Sequence, residues 1–397
     1  MSTAQTLITK DFLQSVLDAY FKRHVKITNF FTSNVVSTGE NFCGQLSRIV
    51  VNYIIEDRDQ NERLSMIAKI SLEDETTASS LSAMRCFYNE LGVYSEVLPA
   101  MYSLDYREKL APKAIYISHN PKPTLLLEDL TPLGYKMQNR NDGLNVDHLL
   151  LAVKKLAYFH AASVAVYEKE PEKVTKYNTG MYYDNDVANY YISICFASLV
   201  EATQKITDLH KYGSKMECQK IKNKLFSSMK PSGTFNVLNH GDAWTNNCMF
   251  SYDSDGKPTD VLLLDFQFSA FSTPALDLHY LWVICTDVDT KTKHLGTVLS
   301  YYHRKLVKYM LKLQVKTVPP TINQLRSEFD RKAIFGFGAM LCTLPLFLGS
   351  KRSDATLIDF YRDGGPNTFR YSCFNNEKYI EHLKIMLPIY DNLGVFD

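Results

Sequence analysis

The chain has 397 residues, 45% of them hydrophobic and 22% charged, with a formal net charge of +1. This is a globular composition, and without a basic stripe it argues against nucleic acid as a partner. The eight cysteines are dispersed, with no C-x-x-C pair and no Cys/His cluster, so a disulfide framework and a structural zinc are not expected; free thiols in a reducing, cytoplasmic setting are.

The first segment, "MSTAQTLITKDFLQSVLDAYFK", lacks the apolar stretch of a signal peptide. "TSNVVS" (32–37) and "QLSRIVVNYIIE" (45–56) read as paired strands around "STGENFCG" (37–44), and "RLSMIAKIS" (63–71) as a third strand. A helix pattern covers 78–98, followed by strands at "AIYIS" (114–118) and "PTLLLED" (123–129). Beyond 145 the pattern is mainly helical, broken by short apolar runs near 236–239, 248–252 and 261–265. The apolar run "AIFGFGAMLCTLPLFLG" (333–349) is 17 residues long and interrupted by Pro345, so it reads as a buried C-terminal helix and not as a membrane span. The expected fold is α+β and bilobal: a small strand-rich N-lobe (1–130) and a large, mainly helical C-lobe (131–397), with a cleft between them.

Several polar residues interrupt these apolar patterns. Alternation in "SMIAKIS" puts Leu64, Met66, Ala68 and Ile70 on one face and Ile67 and Lys69 on the other. A mid-strand lysine is costly unless its ammonium meets an anion or lies at an exposed edge. On the following helix, Phe87 centres a stripe with Met84, Leu91, Tyr94 and Leu98. Glu90 lies on its border and Glu96 on the opposite face, so Glu90 is the partner expected for Lys69. "STGENFCG" carries Gly39 and Gly44, which can lay backbone N–H groups over phosphates or merely close a hairpin. In "VLNHGDAWTNNCMF", Asp242 and Asn247 are five residues apart, and Asp265 ends the apolar run "VLLLD". Taken singly, these residues also suit turns. Together they suit phosphoryl transfer: Asp242 can accept a hydroxyl proton, and Asn247 with Asp265 can offer hard oxygens to Mg²⁺.

The order of strand lysine, helix glutamate, H-G-D-x-x-x-x-N and an apolar strand ending in Asp-Phe is similar to the aminoglycoside phosphotransferase and choline kinase group of protein-kinase-like phosphotransferases. "CFYNELGVYSEVLP", "LLLEDLTPLGY", "LAYFHAASVAV", "NHGDAWTNNCMF", "LLLDFQFSAFSTPALDLHYL" and "EHLKIMLPIYDNLGV" resemble the ecdysteroid kinase-like, or CHK kinase-like, family, from about residue 10 to the end. The resemblance implies phosphotransfer from ATP to a small-molecule alcohol. It makes Asp242 the base, Asn247 and Asp265 the Mg²⁺ ligands, and Lys69, oriented by Glu90, the holder of the α/β-phosphates. Gly39 and Gly44 would contact phosphate. "LLLEDL" (125–130) would be the hinge, with backbone near Glu128 and Leu130 meeting adenine. Gln267 stands where protein kinases carry the glycine of Asp-Phe-Gly, which argues against a flipping activation switch. His160 reads as a satisfied core histidine, His240 as a brace of the catalytic loop, and Asp277 as an anchor of that loop.

Aromatic pocket walls, expected from 180–230 and beyond 279, would suit an apolar alcohol such as an ecdysteroid or xenobiotic. A hydrophilic acceptor such as choline would want acidic walls. The rival class is a nucleotide-binding pseudokinase, against which every expected catalytic position is filled. A protein kinase fits poorly, because H-R-D, D-F-G and A-P-E motifs are missing. No membrane partner is expected.

Overall fold

A computed structural model describes residues 8–35, 45–55, 58–70, 86–120, 122–231, 233, 235–349, 352–362 and 364–397. Gly39, Gly44, Met84 and the start of the predicted 78–98 helix lie outside the described residues.

The N-terminal region is an antiparallel sheet of β1 (Val25–Asn34), β2 (Gln45–Ile55), β3 (Arg58–Ile70), β4 (Ala114–Ser118) and β5 (Thr124–Glu128), in the order β1-β2-β3-β5-β4. The first strand starts seven residues earlier than the sequence reading and β3 five earlier. The β1 extension alternates only over Val25–Thr28 before a bulge between Ile27 and Asn29 shifts its register, and the β3 extension is the polar run 58–62, so alternation marks both weakly. One face of the sheet is covered by α1 (Lys10–Phe21), whose N-terminal amide at Phe12 is capped by the Thr9 hydroxyl. Leu13, Val16 and Leu17 of α1 pack with Met66, Ala68 and Ile70 of β3 in a separate small core. Strand pleating then turns Ile67 and Lys69 to the other face, toward the cleft.

Helix α2 (Cys86–Gly92) continues into a π-helical turn (Val93–Val97) and a final α-turn (Leu98–Tyr102). The wide turn changes the helical phase after Gly92. Val93, Tyr94, Val97 and Leu98 are all buried, while Ser95 and Glu96 face water. Glu90, read as a border position, precedes that change and is fully buried.

The C-terminal region is built on helices. Among these, α3 (Val146–Lys169) is long and apolar enough to cross a membrane, but 83% of its most apolar stretch is buried inside the protein. Helix α4 (Asp186–Gln204) and the wholly buried α5 (Ala275–Cys285) flank the cleft, and α6 (Leu295–Lys312) packs along α3. The run 333–349 forms two buried helices, α7 (Ala333–Cys342) and α8 (Leu344–Leu348), where the sequence suggested one; Pro345 sits in the first turn of α8, where its missing N–H costs nothing. Short strands complete the region: β6 (Lys136–Met137), β8 (Cys248–Tyr252) and β9 (Pro258–Leu263) form one sheet, and β7 (Val237–Asn239) pairs with β10 (Ala270–Ser272). These sheets hold the two ends of the 239–247 loop. The mixed α+β class, sheet first and helices after, is the one read from the sequence.

The C-terminal core is tightly filled. Phe337 on α7 has no exposed surface, and its ring meets Tyr390 and Phe396 edge-on at 5.6 and 5.3 Å. Phe337→Ala should lower stability by about 3–5 kcal/mol, the usual cost of deleting a buried phenyl. Denaturant midpoints at unchanged slope would measure it.

Candidate active site

Lys69 Nζ lies 2.6 Å from Glu90 Oε2 and 2.7 Å from Asp265 Oδ1. Lys69 and Glu90 are both buried, so each charge needs the other. Burial disfavours the ammonium, but Asp265 and Glu90 more than compensate and raise its pKa. Burial pushes Glu90 upward against the pull of Lys69. Glu96 is exposed and pairs with Lys176 at 2.5 Å, outside the cleft. Asp265 follows β9 with φ at +64°, a left-handed conformation that aspartate tolerates better than most residues. This turn ends the strand and brings the carboxylate to Lys69.

The 239–247 loop carries the other acid. Asp242 is buried; its Oδ1 accepts from the Tyr280 hydroxyl at 2.6 Å and its Oδ2 from the Asn247 side-chain amide at 2.9 Å. Burial drives the Asp242 carboxyl well above the ordinary carboxylate range, against these two hydrogen bonds. The Asn247 amide nitrogen also donates to the Asp242 carbonyl, which leaves its oxygen to act as a ligand.

The loop backbone is fixed from below. Asp277 Oδ2 accepts from the His240 N–H at 2.7 Å, and Oδ1 from the Gly241 N–H at 2.8 Å. His160, a fully buried core histidine, reaches Asp277 Oδ2 at 3.0 Å and the Tyr302 hydroxyl at 2.7 Å. Burial pushes the Asp277 carboxyl up, but His160 and the loop amides outweigh it and hold it low. Burial keeps His240 neutral. Its Nε2 then donates to the Leu264 carbonyl at 2.9 Å, while Nδ1 accepts from the Asp242 N–H at 3.2 Å. Both ring nitrogens are thereby engaged in bracing the loop.

Lys69, Glu90, Asp242, Asn247 and Asp265 all line one cleft of about 1230 Å³, together with Glu128 and Leu130. At the expected hinge the Glu128 N–H donates to Lys113 O at 2.9 Å, and its carboxylate accepts from Lys109 at 2.7 Å. The Leu130 carbonyl accepts from the Leu133 and Tyr135 amides. Among the described residues no acceptor meets the Leu130 N–H, so this amide can serve an adenine edge. For a metal, Asp265 and the Asn247 oxygen are hard donors on one side of the cleft. Among the described residues no three His, Cys, Asp or Glu side chains gather as a cage. Two protein oxygens fit Mg²⁺, which takes most of its shell from phosphate and water.

Other contributors were not singled out by the sequence reading, which gave the region beyond 279 only as a general pocket wall. Tyr280 reads there as a core aromatic, although its three-residue spacing from Asp277 places both on one face. Arg48 reaches Asp129 at 2.7 Å and Ser65 reaches it at 2.6 Å, tying the chain after β5 back to the sheet; nothing in their spacing announces it. The apolar run 333–349 supplies Phe347, which stacks on Trp244 at 3.6 Å and walls the cleft.

Gly241 has φ at +82°, and a Cβ there would stand 1.9 Å from the Phe268 carbonyl oxygen. Gly241→Ala should therefore cost about 2–5 kcal/mol from backbone strain and overpacking together. A thermal or denaturant unfolding midpoint unchanged from wild type would contradict this loop geometry.

The comparisons with known proteins add to this geometry. Among solved structures, a choline kinase from Cryptosporidium parvum Iowa II matches with a TM-score of 0.49 and 10% identity, covering 92% of this chain and 91% of that one. Choline kinase LicA from Streptococcus pneumoniae matches with a TM-score of 0.40 and 12% identity, covering 96% and 99%. No curated protein sequence matches. The sequence model of the ecdysteroid kinase-like family matches residues 38–315, well over half of the chain and including Lys69, Glu90, Asp242, Asn247 and Asp265, and the chain belongs to that family.

Proposed function

We propose that the protein is an ATP-dependent small-molecule kinase that phosphorylates a hydroxyl of an apolar alcohol, such as an ecdysteroid or a xenobiotic. The observation that carries this reading is the continuity of one cleft. It runs from the Lys69–Asp265 pair past Asp242 to a wall of Met181, Tyr182, Tyr191, Trp244, Leu346 and Phe347. The first part suits a nucleotide and the last an apolar body. In this reading the lobe boundary lies near residue 130, adenine meets the Leu130 N–H, and Lys69 holds phosphate oxygens. Gly39 and Gly44, outside the described residues, keep their expected role beside the phosphates. The free thiols at the seven described cysteines are compatible with the cytoplasmic setting assigned here.

In the transfer, the acceptor oxygen forms a bond to the γ-phosphorus. The bond from that phosphorus to the bridging oxygen breaks, and its electron pair leaves with ADP. The acceptor proton passes to the Asp242 carboxylate. Bound Mg²⁺ would neutralise charge on the phosphates. Asp265 and the Asn247 oxygen are the groups that would hold it. Lys69 offsets phosphate charge while Glu90 keeps it in place, and the apolar wall excludes water that would otherwise compete as acceptor.

A cationic acceptor such as choline is the second reading, because aromatic walls also receive quaternary ammonium groups. On the acceptor side, the acid Asp186 shares the cleft lining with Arg362, which weakens that reading. Incubation with MgATP and a panel of steroid, phenolic, glycoside and amino-alcohol acceptors, read by mass spectrometry, separates the two. Phosphorylation confined to amino alcohols would overturn the apolar acceptor, and MgATP binding without any transfer would favour a pseudokinase.

Two substitutions divide binding from chemistry. Asp265→Ala should leave the fold intact and weaken MgATP binding by at least about tenfold, the share of a charged metal ligand; calorimetry would measure it. Asp242→Asn should bind MgATP nearly as wild type and transfer phosphate about 10²–10⁴-fold more slowly. The low end is expected where the transition state is loose and the acid mainly orients the hydroxyl. Equal transfer rates would refute the role of Asp242.

A further inference from the structure

A carboxylate is a poor positioning device by itself. Its terminal torsion is soft, so the two oxygens sweep a broad arc unless something holds them. Asp242 is held at both ends. Tyr280 donates to Oδ1 at 2.6 Å and Asn247 to Oδ2 at 2.9 Å, and rotation of the carboxylate breaks one bond or both. Each oxygen retains a further lone pair for another donor.

The two donors differ in origin. Asn247 belongs to the same loop as Asp242 and moves with it. Tyr280 belongs to α5, has no exposed surface, and lies one helical turn beyond Asp277. Asp277 fixes the loop backbone at His240 and Gly241. The same helix therefore sets the height of the loop through Asp277 and the plane of its acid through Tyr280. Tyr280 also borders the cleft, so no other side chain needs to intervene between it and the acid's working position.

We infer that Tyr280 is a positioning residue for the proposed phosphoryl transfer, acting through Asp242 by fixing the plane in which that carboxylate meets the acceptor hydroxyl. This inference rests on the proposed function. It assigns Tyr280 no contact with the nucleotide and no share in holding the acceptor body. Loss of the phenol oxygen should therefore act on turnover and not on binding. It should also matter only while the carboxylate is there to be held.

The experiment compares wild type, Tyr280→Phe, Asp242→Asn and the double variant in the full chain, with MgATP and the best alcohol found in the acceptor panel. Tyr280→Phe keeps the ring and the packing. Its kcat should fall about 10–100-fold, the usual scale for losing one bond to a charged group or misplacing a reacting one. Its KM for ATP and for the acceptor should stay within about twofold of wild type. In the Asp242→Asn background the same change should cost nothing further, because residues acting as a unit are not additive. An unchanged kcat, a loss that falls in KM, or a full additional loss in the double variant would overturn the role of Tyr280 while leaving the kinase reading intact. Absence of phosphate transfer by wild type to any alcohol would instead defeat the kinase reading, and the role of Tyr280 with it.

Discussion

A carboxylate removed from water must be met by donors or it neutralises. Asp277 has no exposed surface and is met by three: the His240 and Gly241 amides and His160 Nε2. The arrangement works in both directions. The acid is kept charged by the donors, and two consecutive loop amides are kept in place by the acid. Two adjacent N–H groups aimed at one carboxylate demand a sharp local bend, and Gly241 supplies it with a positive φ that a side chain would obstruct. From that bend the chain runs directly to Asp242. The height of Asp242 in the cleft therefore follows from a charge buried beneath it, and His160 and Tyr302 matter to the site as supports of that charge.

The opposing side of the cleft depends on a similar logic with the sign reversed. Lys69 is a buried cation on a strand whose other face belongs to the α1 core, so its ammonium is confined to the cleft side, where little of it meets water. Glu90 and Asp265 meet it, one from α2 and one from the turn after β9. A single ammonium thus joins the sheet, the helix packed beneath it and the C-terminal region. The Arg48–Asp129–Ser65 cluster ties the chain leaving β5 back to the same sheet. The bond from Lys69 to Asp265 joins the two walls of the cleft.

Most of the candidate site was legible because its members violate local patterns. Lys69 breaks an apolar alternation, Glu90 borders an apolar stripe, and Asp242, Asn247 and Asp265 sit where apolar strands end. Such violations are costly unless tertiary structure compensates them, so they mark where it does. Residues that obey their patterns were invisible. Tyr280 lies in a helix buried on all sides, where a tyrosine reads as one more core aromatic. Leu346 and Phe347 look like any core residues until the cleft is seen to end on them. Strands β6 and β10 are two and three residues long, too short for alternation to register. The proposed hinge needed coordinates for another reason: which amide is spent on the sheet and which is free is a property of backbone pairing, and side-chain identity does not encode it. The phase change after Gly92 was likewise unreadable, since a π-turn leaves no residue signature in this stretch.

The two ionic clusters also differ in how much they can change. Asp277 is enclosed by its own loop, and none of its partners is offered to a ligand, so its bonds belong to the resting and working states alike. Lys69 is different, because one of its two anions, Asp265, is about one-fifth exposed and borders the cleft, whereas Glu90 is closed off. An incoming triphosphate brings more negative charge than Asp265 can offer, and a divalent cation brings a stronger claim on Asp265 than an ammonium does. On the proposed function, both arrivals would favour the same exchange: Lys69 would turn its second bond from carboxylate to phosphate, and Asp265 would turn from ammonium to metal. Glu90 needs to do nothing in that exchange except remain, which is what its burial secures. The ion pair between Lys69 and Asp265 therefore holds the two walls of the cleft together without committing either residue.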